Sequence, residues 1–96
     1  MNEKELYQQK KQAQLDEWQA EIEKLKAKAS ELSADARLEI NAQIEALQGK
    51  IEDGKSKLAE LADASEGAWE SIKDCVESTW NSMTSAFNEV VAKFKS

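Results

Sequence analysis

Ninety-six residues with a net charge of −6, a third of them charged and none of them histidine or proline, make one thin domain at most. The acidic balance excludes nucleic acid as a partner and removes the electrostatic half of attraction to anionic lipid, because both select basic surfaces. The missing histidine removes the commonest metal ligand and neutral-pH base, and a lone Cys75 permits neither an intrachain disulfide nor a cysteine metal site within one chain.

The N-terminus, Met1-Asn2-Glu3-Lys4-Glu5, has no apolar signal core, and no apolar run approaches membrane-spanning length. A cytoplasmic location is therefore expected. Met1 to Gln12 is polar apart from Leu6 and Tyr7, and it either frays or continues the helix that follows. From Leu15 an apolar stripe steps by three or four residues through Trp18, Ile22, Leu25, Ala29, Leu32 and Ala36, a seven-residue period of helices packed along a seam. Ala36, Ile40, Ile44 and Leu47 then make an eleven-residue stutter before heptads return through Ile51, Gly54, Leu58 and Leu61.

A stutter lets a helix continue, so the expected fold is all-α: an antiparallel coiled-coil hairpin with a first helix over about 3–63 and a second over about 67–95, one domain spanning 1–96. The alternative is a compact three-helix bundle broken near 33 and 65. Ser33 suits an N-cap and Asp35 a first helical turn, but no Gly or Asn supplies a C-cap before them and no proline supplies a stop. The break at Asp63 to Gly67 is firmer, because small and polar residues collect there and Gly67 can take positive φ. Gly49 and Gly54 lie inside the helical pattern and cost about 1 kcal/mol each relative to Ala. Gly54 falls on the seam, where it is either a weak point or a site of close approach. Asp53–Lys57, Lys73–Glu77 and Glu89–Lys93 stand four apart, as helix-supporting ion pairs.

The last helix repeats with a period of eleven: Trp69, Trp80 and Val91 correspond, as do Ile72, Met83 and Phe94, and Cys75 matches Ala86. Eleven residues in three turns keep a stripe nearly straight. The resulting face is wide and calls for more than one neighbour. Trp69, Ile72, Val76, Trp80, Met83 and Phe87 are its helix-packing residues, and Cys75 is expected in the core beside them.

The string Leu15-x-x-Trp18-x-x-Glu21-Ile22-x-x-Leu25-x-x-Lys28, then Ala34-Asp35-Ala36-Arg37, then Ala68-Trp69-x-x-Ile72 and Trp80-x-x-Met83-x-x-Ala86-Phe87, resembles a set of short bacterial coiled-coil proteins of uncharacterised function. The resemblance covers nearly the whole chain and implies a helical hairpin or bundle with no agreed activity. Members of that set often carry Lys where Arg37 stands and Gly near Cys75. The eleven-residue rhythm is also similar to that of exchangeable apolipoproteins, by periodicity alone.

No constellation of residues points to catalysis. Asp16, Glu17, Glu21 and Glu23 cluster on the first helix, but a four-helix di-iron site needs Glu-x-x-His; these carboxylates read as solvated surface charge. Glu52-Asp53-Gly54 lacks the rest of a calcium loop, and the serines and threonines of 71–85 have no accompanying base. Expected cofactors, metals, nucleic-acid partners and small-molecule substrates are accordingly none. The expected function is a non-enzymatic structural or interaction protein. In the hairpin, the second helix covers residues from about 33 to 62 and leaves Trp18, Ile22, Leu25 and Leu32 as a self-association seam, which predicts a homodimer. The alternative is a peripheral membrane-surface or stress-associated amphipathic protein acting through residues 68–96. There Lys73, Lys93 and Lys95 face four acids, which leans against it.

Overall fold

Asn2 opens the first helix by accepting a hydrogen bond from the Glu5 N–H at 2.8 Å. Glu3 and Glu5 stand in the first turn and Lys26 and Lys28 in the last, each sign opposite to the helix dipole. The computed structural model describes the backbone of residues 2–95 and the side chains of residues 2–94. It consists of α1 (Glu3–Ala29), α2 (Ala34–Asp63) and α3 (Trp69–Lys95).

The chain therefore adopts the three-helix alternative, and the continuous first helix over about 3–63 is replaced by two helices joined at residues 30–33. Two local devices supply the ending that no Gly or Asn provides. Ser30 stays right-handed and its hydroxyl donates to the Ala27 carbonyl at 2.7 Å, while Arg37 Nη2 donates to the Ser30 and Leu32 carbonyls at 3.2 and 3.1 Å. Ser33 then turns extended, and its Oγ accepts from the Ala36 N–H at 3.4 Å as the α2 N-cap. The energetic reason is coverage. A 27-residue α3 spans only one half of a 60-residue helix, whereas folding α1 back buries Leu15, Ile22, Leu25 and Ala29 almost completely. Burying a Leu or Ile side chain contributes about 1.5–3 kcal/mol, so these residues outweigh one lost helical turn.

At the second break, Ser65 takes the structural part assigned to Gly67. The Ser65 carbonyl accepts from the Ala68 and Trp69 N–H groups at 3.1 Å, its Oγ accepts from the Ala68 N–H at 3.4 Å, and no described residue, glycine included, has positive φ. Lys4 of α1 donates to the carbonyls of Ala62 and Ala64 at 3.0 and 2.7 Å. It thereby caps the C-terminus of α2, whose last turn has no basic residue of its own.

The helices run up, down and up in a bundle of 51 × 19 × 19 Å, with every stripe residue from Leu15 to Leu61 buried or half-buried. On α3 the buried set is Trp69, Val76, Trp80, Met83, Phe87 and Val90, mostly a heptad seam and narrower than the expected face. Cys75 falls outside it and is exposed, which corrects its expected place in the core. Lys73 acts electrostatically on Glu77 as expected along the helix, and the expected charges also find other partners. Glu77 pairs with Lys11 at 3.2 Å, Lys57 with Glu60 at 3.7 Å, and Lys93 with Glu39 of α2 at 2.8 Å. The Lys93 hydrogen bond holds the Glu39 carboxyl below its usual range.

Candidate functional site

The bundle has one side where chemistry-bearing side chains concentrate, between α1 and α3. These helices run parallel, and their backbones lie further apart than those of the two antiparallel pairs, so long side chains must span the gap. Tyr7 lies 6.0 Å from the Trp69 ring at 46°, Trp18 lies 6.0 Å from Trp80 at 49°, and Trp18 stacks on Phe87 at 5.8 Å and 16°. Tilted and offset aromatic pairs at these distances add about 0.5–1.5 kcal/mol each beyond their burial.

Two lysines complete the row. Lys11 Nζ sits 5.3 Å over Tyr7 and 5.7 Å over Trp80, and Lys73 Nζ sits 5.3 Å over Tyr7 and 5.6 Å over Trp69. Each cation faces the negative face of two rings. Glu77 holds the centre: Tyr7 Oη donates to its Oε1 at 2.7 Å, and Lys11 Nζ lies 3.2 Å from the same oxygen. Burial, the bond to Glu77 and the acidic charge nearby push the Tyr7 phenol well above its ordinary range. The hydrogen bond from Tyr7, and then Lys11, hold the Glu77 carboxyl below its usual value despite partial burial. A phenol that resists ionisation and a carboxylate with two donors make a clamp between helices rather than an acid–base pair.

Lys4 and Lys11 are polar, which hides them from an apolar stripe, yet they continue its heptad; Tyr7 lies one position off it. Lys4 and Lys11 occupy the same phase as Trp18, Leu25 and Leu32, each seven residues apart. The seam thus runs to the start of α1, with aliphatic stems packed inward and ammonium groups at the rim.

The residues expected to form a self-association seam are placed within the chain's own core. Ile22 and Leu25 are buried, Trp18 is half-buried against Trp80 and Phe87, and Leu32 is half-buried at the turn. Trp69, Val76, Trp80, Met83 and Phe87 are buried, and Ile72 packs at the margin of the same cluster. Gly54 is a site of close approach. A Cβ there would lie 3.2 Å from Leu15 Cδ2 and Trp80 Cη2 and 3.3 Å from Met83 Cε. The Trp80 ring is so committed to this contact that its indole N–H is buried without a hydrogen-bond partner. An orphaned donor of this kind costs about 1–3 kcal/mol, which the ring's packing must exceed.

Other polar groups stay at the surface. Asp16, Glu17 and Glu23 are exposed and Glu21 is half-buried. Among the described residues, no group of three or more His, Cys, Asp or Glu could hold a metal ion, and no helix is long and apolar enough to cross a membrane. No family model, curated protein or solved structure matches this chain.

One feature of the site is left incompletely covered. At the end of the bundle that carries the α1–α2 turn, Leu32, Ala36, Val91 and Phe94 are only half-buried. Most of them line an open groove with Glu21, Leu25, Lys28 and Glu31. This apolar end, rimmed by charges of both signs, is the best candidate for contact outside the chain.

Proposed function

We propose that this is a cytoplasmic, non-enzymatic structural or interaction protein, of the kind of the short bacterial coiled-coil proteins it resembles, and that it self-associates as a homodimer. The observation that carries the reading is the incompletely covered end around Leu32, Ala36, Val91 and Phe94. Four half-buried apolar residues from α2, α3 and the turn gather at this end, so a second copy placed there covers several of them at once. Its mixed charge rim suits a like partner better than nucleic acid. A lipid surface would have to compete with α2 and α1 for Trp69, Trp80 and Phe87, which already face the core.

Sedimentation equilibrium at micromolar concentration tests the proposal. A dimer is expected, and Phe94→Glu is expected to weaken it while leaving the helicity of the monomer intact. A monomer throughout, for the unaltered chain, overturns self-association.

A further inference from the structure

We propose that the chain pairs with a second copy by exchanging α1, with Ser33 as the hinge, so that α1 and α2 of each copy join into one continuous helix from Glu3 to Asp63. This deepens the self-association reading above and rests on it.

The hinge is already close to helical. Residues 30–32 wind on from α1 through bonds from the Ser30 N–H to the Lys26 carbonyl, from Glu31 to Lys28 and from Leu32 to Ala29. Ser33 has φ −61°, an ordinary helical value, and departs only through ψ of 161°. No described residue has positive φ, and neither glycine nor proline stands between Ala29 and Gln48. The ψ of Ser33 is therefore the principal departure at the junction from a helical path. Short connections of this kind favour exchange of an element between copies.

The polar groups of the turn are satisfied in both forms. In the closed bundle Arg37 holds the carbonyls of Ser30 and Leu32, and Ser33 Oγ holds the Ala36 N–H. In a continuous helix those two carbonyls would accept from the N–H groups of Ala34 and Ala36. Arg37 acts as a latch on the closed form, and releasing it orphans nothing.

The apolar pattern fits as well. In a turn between two independent helices the stripes on either side need share no phase. Here Ala29, Leu32, Ala36 and Ile40 step by three, four and four straight through the hinge. The register is also symmetric about it: Lys4 meets Ala62 and Ala64, and Leu15 lies against Gly54, pairs centred on residues 33–35. A partner's α2 can therefore take the place of the chain's own with no change of register. The contacts that α1 makes with α2 and α3 recur between copies, those between α2 and α3 stay within each copy, and Ala29 and Leu32 of one copy fall opposite Ile40 and Ala36 of the other. The residues left half-buried at the turn end are those this arrangement brings together at the dimer's centre.

Three full-length chains test the inference by sedimentation equilibrium and small-angle scattering. Ser33→Ala removes the cap of the closed form and favours the helix, so it is expected to raise the dimerisation constant by about a hundredfold, about tenfold per hinge. Ala34→Pro places proline at the first position of α2, where the ring fits, and holds residue 33 in the extended state it already has. It is expected to stay monomeric, with far-UV circular dichroism as helical as the parent. Dimers are expected to have a longest dimension of about 90 Å, set by the joined helix, against 51 Å for the closed bundle.

If Ala34→Pro dimerises as well as the parent, exchange is overturned while self-association through outer surfaces stands. If none of the three chains dimerises, both readings fall. Should Ala34→Pro fail to fold, Ser33→Ala decides: no tighter dimer than the parent overturns the hinge.

Discussion

Gly49 and Gly54 both sit within α2 and cost the helix the same backbone entropy, but their surroundings separate them. Nothing lies within 4 Å of a Cβ on Gly49, whereas one on Gly54 would crowd Leu15, Trp80 and Met83. Gly49→Ala is expected to stabilise the protein by about 0.5–1 kcal/mol. Gly54→Ala makes the same propensity gain, and Leu15 and Met83 can yield by a few tenths of an ångström, but the rigid Trp80 ring must shift within a packed core at about 1–3 kcal/mol, so the net effect is expected to be destabilising. Urea unfolding of the two variants checks the contrast; equal shifts in the same direction would show that the Trp80 contact is not tight. Tyr7 and Glu77 give the residue scale its pH dependence. Glu77 has its carboxyl lowered on folding, so its contribution is present above its ordinary value of 4.5 and is lost as pH falls through the lower folded value. Tyr7 is raised, so its contribution is present below its ordinary value of 10.0 and is lost as pH rises above it. Tyr7→Phe is expected to cost about 1 kcal/mol at neutral pH and to flatten the alkaline limb of stability, measured as midpoint against pH. An unchanged alkaline limb would remove Tyr7 as its source.

At the scale of elements, the ends of the helices are held by side chains from elsewhere in the chain rather than by glycine. Arg37 serves the C-terminus of α1 from within α2, and Lys4 serves the C-terminus of α2 from within α1. Arg37→Ala is expected to cost about 1 kcal/mol, the scale of a hydrogen bond from a charged donor discounted for its exposure. Arg37→Lys should recover part of it, and thermal unfolding measures both. The same arrangement explains why the break at Ser33 was only half legible. Ser33 and Asp35 carried the start signal of α2, but the end of α1 has only the weak local signals of Ser30 and the last-turn Lys26 and Lys28, and its strongest partner, Arg37, lies seven residues on from Ser30. The eleven-residue repeat of α3 misled in another way. It is present in the chain, but the helix buries a narrower seam, and Cys75 turns out of it.

At the scale of the molecule, coverage decides the fold. α1 lies over the face of α2 and α3 that holds Gly54, Trp80 and Phe87, and α3 is too short to shield a helix of twice its length. Removing residues 1–29 is therefore expected to abolish cooperative unfolding of the remainder. A synthetic peptide of residues 1–32 added in trans is expected to restore helicity and the blue-shifted tryptophan emission. A truncated chain that unfolds cooperatively by itself would count against the central place given to α1.

Periodicity, composition and the absence of proline determined that this chain is all-helical, which residues of the stripe from Leu15 to Leu61 face inward and where the second break falls, because burial of an apolar stripe is a local pattern read along a helix. Only the tertiary structure decided whether the first 60 residues run straight or fold back, since both forms satisfy the stripe and differ in what covers it. Only the tertiary structure, likewise, put Tyr7, Lys11 and Glu77 together and exposed Cys75. Those outcomes depend on which helix stands across the gap, and that is a property of packing between segments far apart in the chain.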